Sequence, residues 1–192
     1  MRNQLKLKQL YILVVLAMLN FTSSVSAQNK HVVTEGKYVI KCAKNTTMVL
    51  DGTGVGKGEN VKLKKRDNSK KGQIWKVSKV AGPLGGYEIK CMDNNLVLDG
   101  DAIGLAASLL PNSNSNDIIK LQLWDRNFGG IRTNQEWYIS RSDGYKIIYN
   151  VMNDTKLIDA RDDVANNSRV KLYKRRTSNH DRSQQWMFER VN

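Results

Sequence analysis

Gln73-Ile74-Trp75, Gln135-Glu136-Trp137 and Gln184-Gln185-Trp186 are three copies of one Gln-x-Trp signature, and the chain is built around them. Each copy closes a longer unit with the same internal order. The units open on Tyr38-Val39-Ile40-Lys41-Cys42, Tyr87-Glu88-Ile89-Lys90-Cys91 and Tyr145-Lys146-Ile147-Ile148-Tyr149. An apolar-Asp step follows, at Leu50-Asp51, Leu98-Asp99 and Ile158-Asp159, and then a second short apolar run at Val61-Lys62-Leu63, Leu121-Gln122-Leu123 and Val170-Lys171-Leu172. Four landmarks in one order, three times over, define a repeat of about 50 residues. The repeats cover about residues 36–80, 85–140 and 143–192.

Alternation dominates inside each repeat. Tyr38, Ile40 and Cys42 fall on one face of a strand and Val39 and Lys41 on the other, the period of two that marks β structure. Glycine-rich turns separate the runs, as at Gly52-Thr53-Gly54, Gly85-Gly86 and Asp143-Gly144. One such unit cannot bury its own apolar face, so three must share a core. Three is too few for a propeller, whereas a closed β-trefoil of three four-stranded units hides its strand edges. The spacing predicts an all-β trefoil with Trp75, Trp137 and Trp186 buried in equivalent places.

Repeat two departs from the pattern by an insertion at about 101–119. The Gly104–Leu110 segment has the composition for one or two helical turns, and Pro111–Asn116 reads as a loop tip. Growing from the hairpin after Asp99, the insertion either extends or covers whatever lies beside that residue.

Residues 1–27 read as a cleavable signal peptide, which leaves residues 28–192 as one domain of a secreted, extracellular protein. Arg2, Lys6 and Lys8 precede the apolar run Leu10–Leu19, and Val25-Ser26-Ala27 supplies small residues for cleavage. No later stretch is a membrane span. The net charge is +13; the leader holds three of the 31 basic residues and none of the 18 acidic ones, which leaves +10. Such a surplus favours anionic partners without naming one. Cys42 and Cys91 occupy equivalent positions of two repeats, which predicts separated, unbridged thiols. With only His31 and His180 as further soft ligands, no metal or other cofactor is expected. Asn45, Asn153 and Asn166 head formal glycosylation sequons.

The Gln-x-Trp triplets, the Leu-Asp step and the Gln122-Leu123-Trp124 strand resemble the ricin B-chain type of β-trefoil lectin over Tyr38 to Arg190, nearly the whole chain after the leader. That resemblance implies a shallow sugar pocket in each repeat. A carboxylate takes hydroxyl hydrogen bonds, a ring stacks on the apolar sugar face, and amides complete the polar set. Repeat two matches best, with Asp99, Gln122, Trp124, Asn134 and Gln135. Repeat three matches in part: Asp159 and Tyr173 keep the carboxylate and the ring, Gln184 stands at the Asn position with Gln185 beside it, and Lys171 replaces the Gln. In repeat one Asp51 and Gln73 remain, but Lys64 takes the ring position and Gly72 the Asn position.

Structural roles compete with these readings. The three Trp residues suit a core, and Gln73, Gln135 and Gln185 either orient the carboxylate or satisfy buried backbone groups. The Asp residues suit turns that accept from their own backbone. Trp124 differs, because a position that elsewhere holds Lys64 or Tyr173 is expected to be exposed. No catalytic constellation is present in the sequence: it has no Gly-x-Ser-x-Gly, and separate lobes hold the carboxylates too far apart for glycoside hydrolysis. The expected function is therefore non-enzymatic binding of glycans or glycoproteins, galactose-type sugars if the resemblance carries over. The alternative is a basic trefoil that binds anionic polysaccharides or a protein partner through Lys62–Arg66 and Lys171–Arg176, with vestigial sugar pockets. Nucleic acid is not an expected partner.

Overall fold

The alternating runs fold as twelve strands among the described residues, in three groups of four. β1 (Gly36–Cys42), β2 (Asn45–Asp51), β3 (Lys62–Lys65) and β4 (Trp75–Val80) form the first repeat. β5 (Gly86–Cys91), β6 (Val97–Gly100), β7 (Ile119–Trp124) and β8 (Trp137–Ser142) form the second, and β9 (Tyr145–Asn150), β10 (Lys156–Asp159), β11 (Lys171–Lys174) and β12 (Trp186–Val191) the third. The computed structural model describes residues 32–81, 84–109, 118–127, 133–161, 164–176 and 182–192, all within the unit His31–Asn192. The leader and residues 110–117 of the insertion lie outside them.

The first and fourth strands of the repeats close a six-stranded ring. β1 pairs with β4, β4 with β5, β5 with β8, β8 with β9, β9 with β12, and β12 again with β1. Closure removes the free edges that an open sheet of these strands would expose. The β2–β3, β6–β7 and β10–β11 hairpins cap one end of the ring. Their second strands meet one another: β11 pairs with β7, and single bridges join Asn60 to Gln122 and Lys62 to Arg169. This is the β-trefoil.

Trp75, Trp137 and Trp186 are fully buried in one core cluster with Ile40, Leu50, Leu63, Ile89, Leu98, Leu121, Ile148 and Leu172. Val39 departs from the simple alternation. It is as buried as its neighbours, although Lys37 and Lys41 on the same face of β1 are exposed and half-buried. The Asp143-Gly144 turn reverses β8 into β9 with φ of 48° and 81°, the left-handed pair that a two-residue hairpin needs. Cys42 and Cys91 are both buried and free, as their equivalence predicts. Burial raises both thiols above the usual cysteine range.

The insertion carries a helix, α1 (Ala102–Ala107), which starts earlier than the expected segment. Asp101 sets that start, because its carboxylate accepts from the Ile103 N–H as an N-cap. Leu105 is fully buried in the main cluster. Beyond the helix, Ser108 Oγ accepts from Asn153 Nδ2 at 2.8 Å. The insertion therefore plugs the core and leans on repeat three. Asn153 is itself buried, so its sequon offers no open amide.

Candidate functional site

Each Gln-x-Trp copy has the same local build. A single 3-10 turn, at Lys71–Gln73, Thr133–Gln135 and Arg182–Gln184, ends on the Gln. Two residues later the Trp begins a barrel strand. That spacing lets both side chains grip the apolar-Asp step of the preceding hairpin. The indoles of Trp75, Trp137 and Trp186 donate to the carbonyls of Leu50, Leu98 and Ile158 at 2.9, 3.1 and 3.1 Å. Nε2 of Gln73, Gln135 and Gln184 donates to Oδ2 of Asp51, Asp99 and Asp159 at 2.7, 2.9 and 3.0 Å. The same amides also donate to the carbonyls of Lys65, Asp125 and Lys174. Their Oε1 atoms accept from the N–H groups of Asp67, Asn127 and Arg176. Both donors and one of the two acceptor lone pairs of each glutamine are used, so its work is to hold the carboxylate in place.

In repeat two the whole expected polar set converges. Asp99 and Gln122 are cross-strand partners on β6 and β7, and Gln122 Nε2 donates to Asp99 Oδ1 at 2.9 Å. Asn134 Nδ2 donates to Oδ2 at 2.8 Å, beside the Gln135 bond. Three amides thus hold one carboxylate, and no cation among the described residues pairs with it. Burial raises its pKa above the ordinary aspartate range, while the Gln122, Gln135 and Asn134 donors oppose that rise. A carboxylate has about four acceptor sites, so three amides leave capacity for one further donor.

Trp124 lies on the same face of β7 as Gln122 but is half-buried rather than exposed. Repeat one covers part of it. A Cβ on Gly58 would stand 3.0 Å from the ring, and Gly58 is in the left-handed region at φ 79°. Lys57 Nζ sits 4.9 Å from the ring centroid and is ion-paired with Asp125. Neither Lys57 nor Gly58 is visible as a site residue in the sequence, because each comes from the neighbouring repeat.

Repeat three is built differently. The register corrects the sequence reading: Gln184 is the counterpart of Gln135, so Ser183 stands at the Asn134 position. Gln185 takes no part in the cluster, and its amide donates to Ser142 Oγ at 3.3 Å. Asp159 Oδ1 accepts from the Arg161 N–H at 2.5 Å, and Arg176 Nε donates to Oδ2 at 3.1 Å. Both guanidiniums also flank the Tyr173 ring, at 5.0 and 5.6 Å. The carboxylate and ring that a sugar would need are already engaged by arginine.

Repeat one is closed by its own backbone. Asp51 Oδ1 accepts from the Thr53 N–H at 2.8 Å, and Lys64 Nζ lies 3.8 Å from the same oxygen. A Cβ at Gly72, the counterpart of Asn134, would meet Thr53 backbone atoms at 2.3 and 2.4 Å. No side chain fits there while the turn keeps that shape. Lys64 and Arg176, read from the sequence as parts of exposed basic clusters, instead turn towards the repeat carboxylates.

Among the described residues no group of His, Cys, Asp or Glu could hold a metal ion, and no helix is long and apolar enough to cross a membrane.

No family model matches the chain, and no curated protein sequence matches it. Solved structures do. A mosquitocidal holotoxin aligns with a TM-score of 0.66 and 20% identity over 84% of this chain, which spans only 18% of the toxin. ThreeFoil, a designed threefold-symmetric protein, gives 0.62 and 18% identity over 81% of this chain and 99% of its own. The ricin B-like lectin of Macrolepiota procera, solved with lactose, gives 0.60 and 19% identity over 83% of this chain and 99% of its own. The chain has the β-trefoil fold of the ricin B-like lectins.

Proposed function

We propose that this chain is a secreted carbohydrate-binding lectin that takes a galactose-type sugar at repeat two. One observation carries the reading: Asp99 alone among the three repeat carboxylates is held by amides and left without a cation. A sugar hydroxyl donates to the remaining acceptor site of Asp99, Asn134 and Gln122 flank it, and its CH-rich face lies against Trp124. Lactose in the Macrolepiota lectin supports the galactose-type preference, since lactose presents a galactose ring. Repeat three contributes only if Arg176 leaves Asp159. Desolvation of so many polar groups keeps single-site affinity weak.

The test is a glycan array on the protein and on Asp99→Ala, at low and high salt. Galactose-type signals that survive salt and vanish in the variant support the reading. Signals unchanged by the variant sink it. A second reading, binding of anionic polysaccharides along the surface, draws on the exposed Lys65, Lys70, Lys71 and Arg175. It predicts signals that fade steeply with ionic strength.

A further inference from the structure

Where the second strands of the three hairpins meet, cations from different repeats face one another, with Asp51 and Asp159 opposite Lys62 and Lys171 on the other side. The register sets Lys171 opposite Lys120 and Lys62 opposite Arg169. Like charges directly opposite one another across a ladder are destabilising, so two such pairs at one end of the barrel call for an explanation. Beside them is a cleft of about 350 Å³ lined by Asp51, Lys62, Lys64, Lys120 and Arg169, with the Thr53–Glu59 turn as its wall. Four cations and two carboxylates line it; Lys64 is taken up by Asp51 and Glu59 by its own turn, which leaves Lys62, Lys120 and Arg169. Asp51 is held by Gln73, the Thr53 N–H and Lys64. Glu59 accepts from the Gly56 N–H at 2.9 Å. Lys120 donates to the neutral carbonyl of Gly58. Lys62 stands across the ladder from Asp51, yet among the described residues neither it nor Arg169 is ion-paired with a carboxylate.

We infer that this cleft is a binding site for a tetrahedral oxyanion, a sulfate or phosphate ester, presented by Lys62, Lys120 and Arg169. An oxyanion there relieves the repulsion of both cross-strand pairs and gains charge-assisted hydrogen bonds from three repeats at once. The volume sits at the lower end of ligand clefts, which begin at about 300 Å³. It holds more than a bare ion and suits a sulfated or phosphorylated sugar unit. Repeat one would thus have exchanged a neutral-sugar pocket, closed at Gly72, for an anionic one. The site is distinct from the Asp99 pocket proposed above, whose carboxylate does not line the cleft, and it stands or falls independently of that reading.

The experiment is calorimetric titration at fixed ionic strength with galactose 6-sulfate, galactose and sodium sulfate. Galactose 6-sulfate should bind, and Lys62→Ala and Arg169→Gln should each weaken it about tenfold. Both side chains lie outside the core, so an unchanged thermal midpoint confirms that the variants fold. Asp99→Ala, at a carboxylate outside the cleft lining, separates the two sites and should leave sulfate-dependent binding intact. Sodium sulfate binding as tightly as the sulfated sugar identifies a free-anion site, and weaker binding identifies a sugar-borne one; both support the inference. Binding of neither anion overturns it, as does binding unchanged in Lys62→Ala and Arg169→Gln or abolished in Asp99→Ala.

Discussion

Repeats two and three share the same frame hydrogen bonds, at 2.9 and 3.0 Å for the Gln and 3.1 Å for both indoles, and differ in what touches the carboxylate. In both, Gln Nε2 meets Asp Oδ2 and the indole meets the carbonyl of the preceding residue. In repeat three, Oδ1 accepts from the backbone of Arg161, held at φ 65°, and Oδ2 is paired with Arg176. In repeat two the chain leaves Asp99 differently, because Asp101 caps the inserted helix. Asp99 Oδ1 goes to the Gln122 amide instead. Fold and recognition therefore rest on separate atoms of one motif, and one arginine is enough to change what the motif can accept.

The largest expected effect tests the shared half. Trp137→Ala should cost about 3–5 kcal/mol of stability, and Trp186→Ala should cost a similar amount, since both rings are core. Chemical denaturation checks it. A much smaller loss at either position would show that the frames are not equivalent.

The next effect tests the difference. Asp99→Ala should cost about 1.5–3 kcal/mol of glycan binding, the worth of a hydrogen bond to a charged group. Asp159→Ala should leave binding unchanged while stranding Arg176. If titration with lactose shows equal losses in both variants, the contrast between the repeats is not functional.

Acidity sharpens the same contrast. The carboxylate of Asp99 is raised by burial, so it protonates, and glycan binding fades, at a higher pH than an ordinary aspartate would allow. A raised folded-state pKa contributes stability that is fully present below the unfolded pKa and is lost as pH rises through the folded one. Acidification should therefore weaken binding while this group's contribution to folding grows. Parallel binding and unfolding measurements across the acid range check the opposite signs. Binding that holds down to the ordinary aspartate pKa would sink the assignment.

The smallest effect is a gain. Arg176→Ala combined with Ser183→Asn gives repeat three an unpaired carboxylate and an amide at the Asn134 position. Weak lactose binding that persists in an Asp99→Ala background, seen by ligand-detected NMR, is the expected result. Its absence would mean that Trp124 contributes something that Tyr173 cannot.

The frame was legible because it recurs: a buried Trp, its Gln and an Asp that all three repeats keep can be aligned by eye. The site was less so. Gln184 and Gln185 are chemically identical neighbours, and only counting back from Trp186 separates the frame residue from the bystander. Arg176 ends a run with Lys174 and Arg175 that reads as solvated, and nothing in composition tells which cation turns inward. Lys57 and Gly58 reach Trp124 from another repeat, a contact that spacing within one repeat cannot reveal. The start of α1 was available from Asp101 as an N-cap, but three-residue 3-10 turns leave no period to detect.

The β1–β12 ladder has a mechanical side. Lys37 lies opposite Val191 at its outer end and Cys42 opposite Trp186 at its inner end. Force applied at residues 36 and 191 would peel this ladder pair by pair, like a zip, rather than shear all its bonds together. Trp186 sits at the last pair of the peel. A molecule tethered by these two points would yield at its seam first, and the hairpins that cap the barrel would feel the load only after the ring had opened.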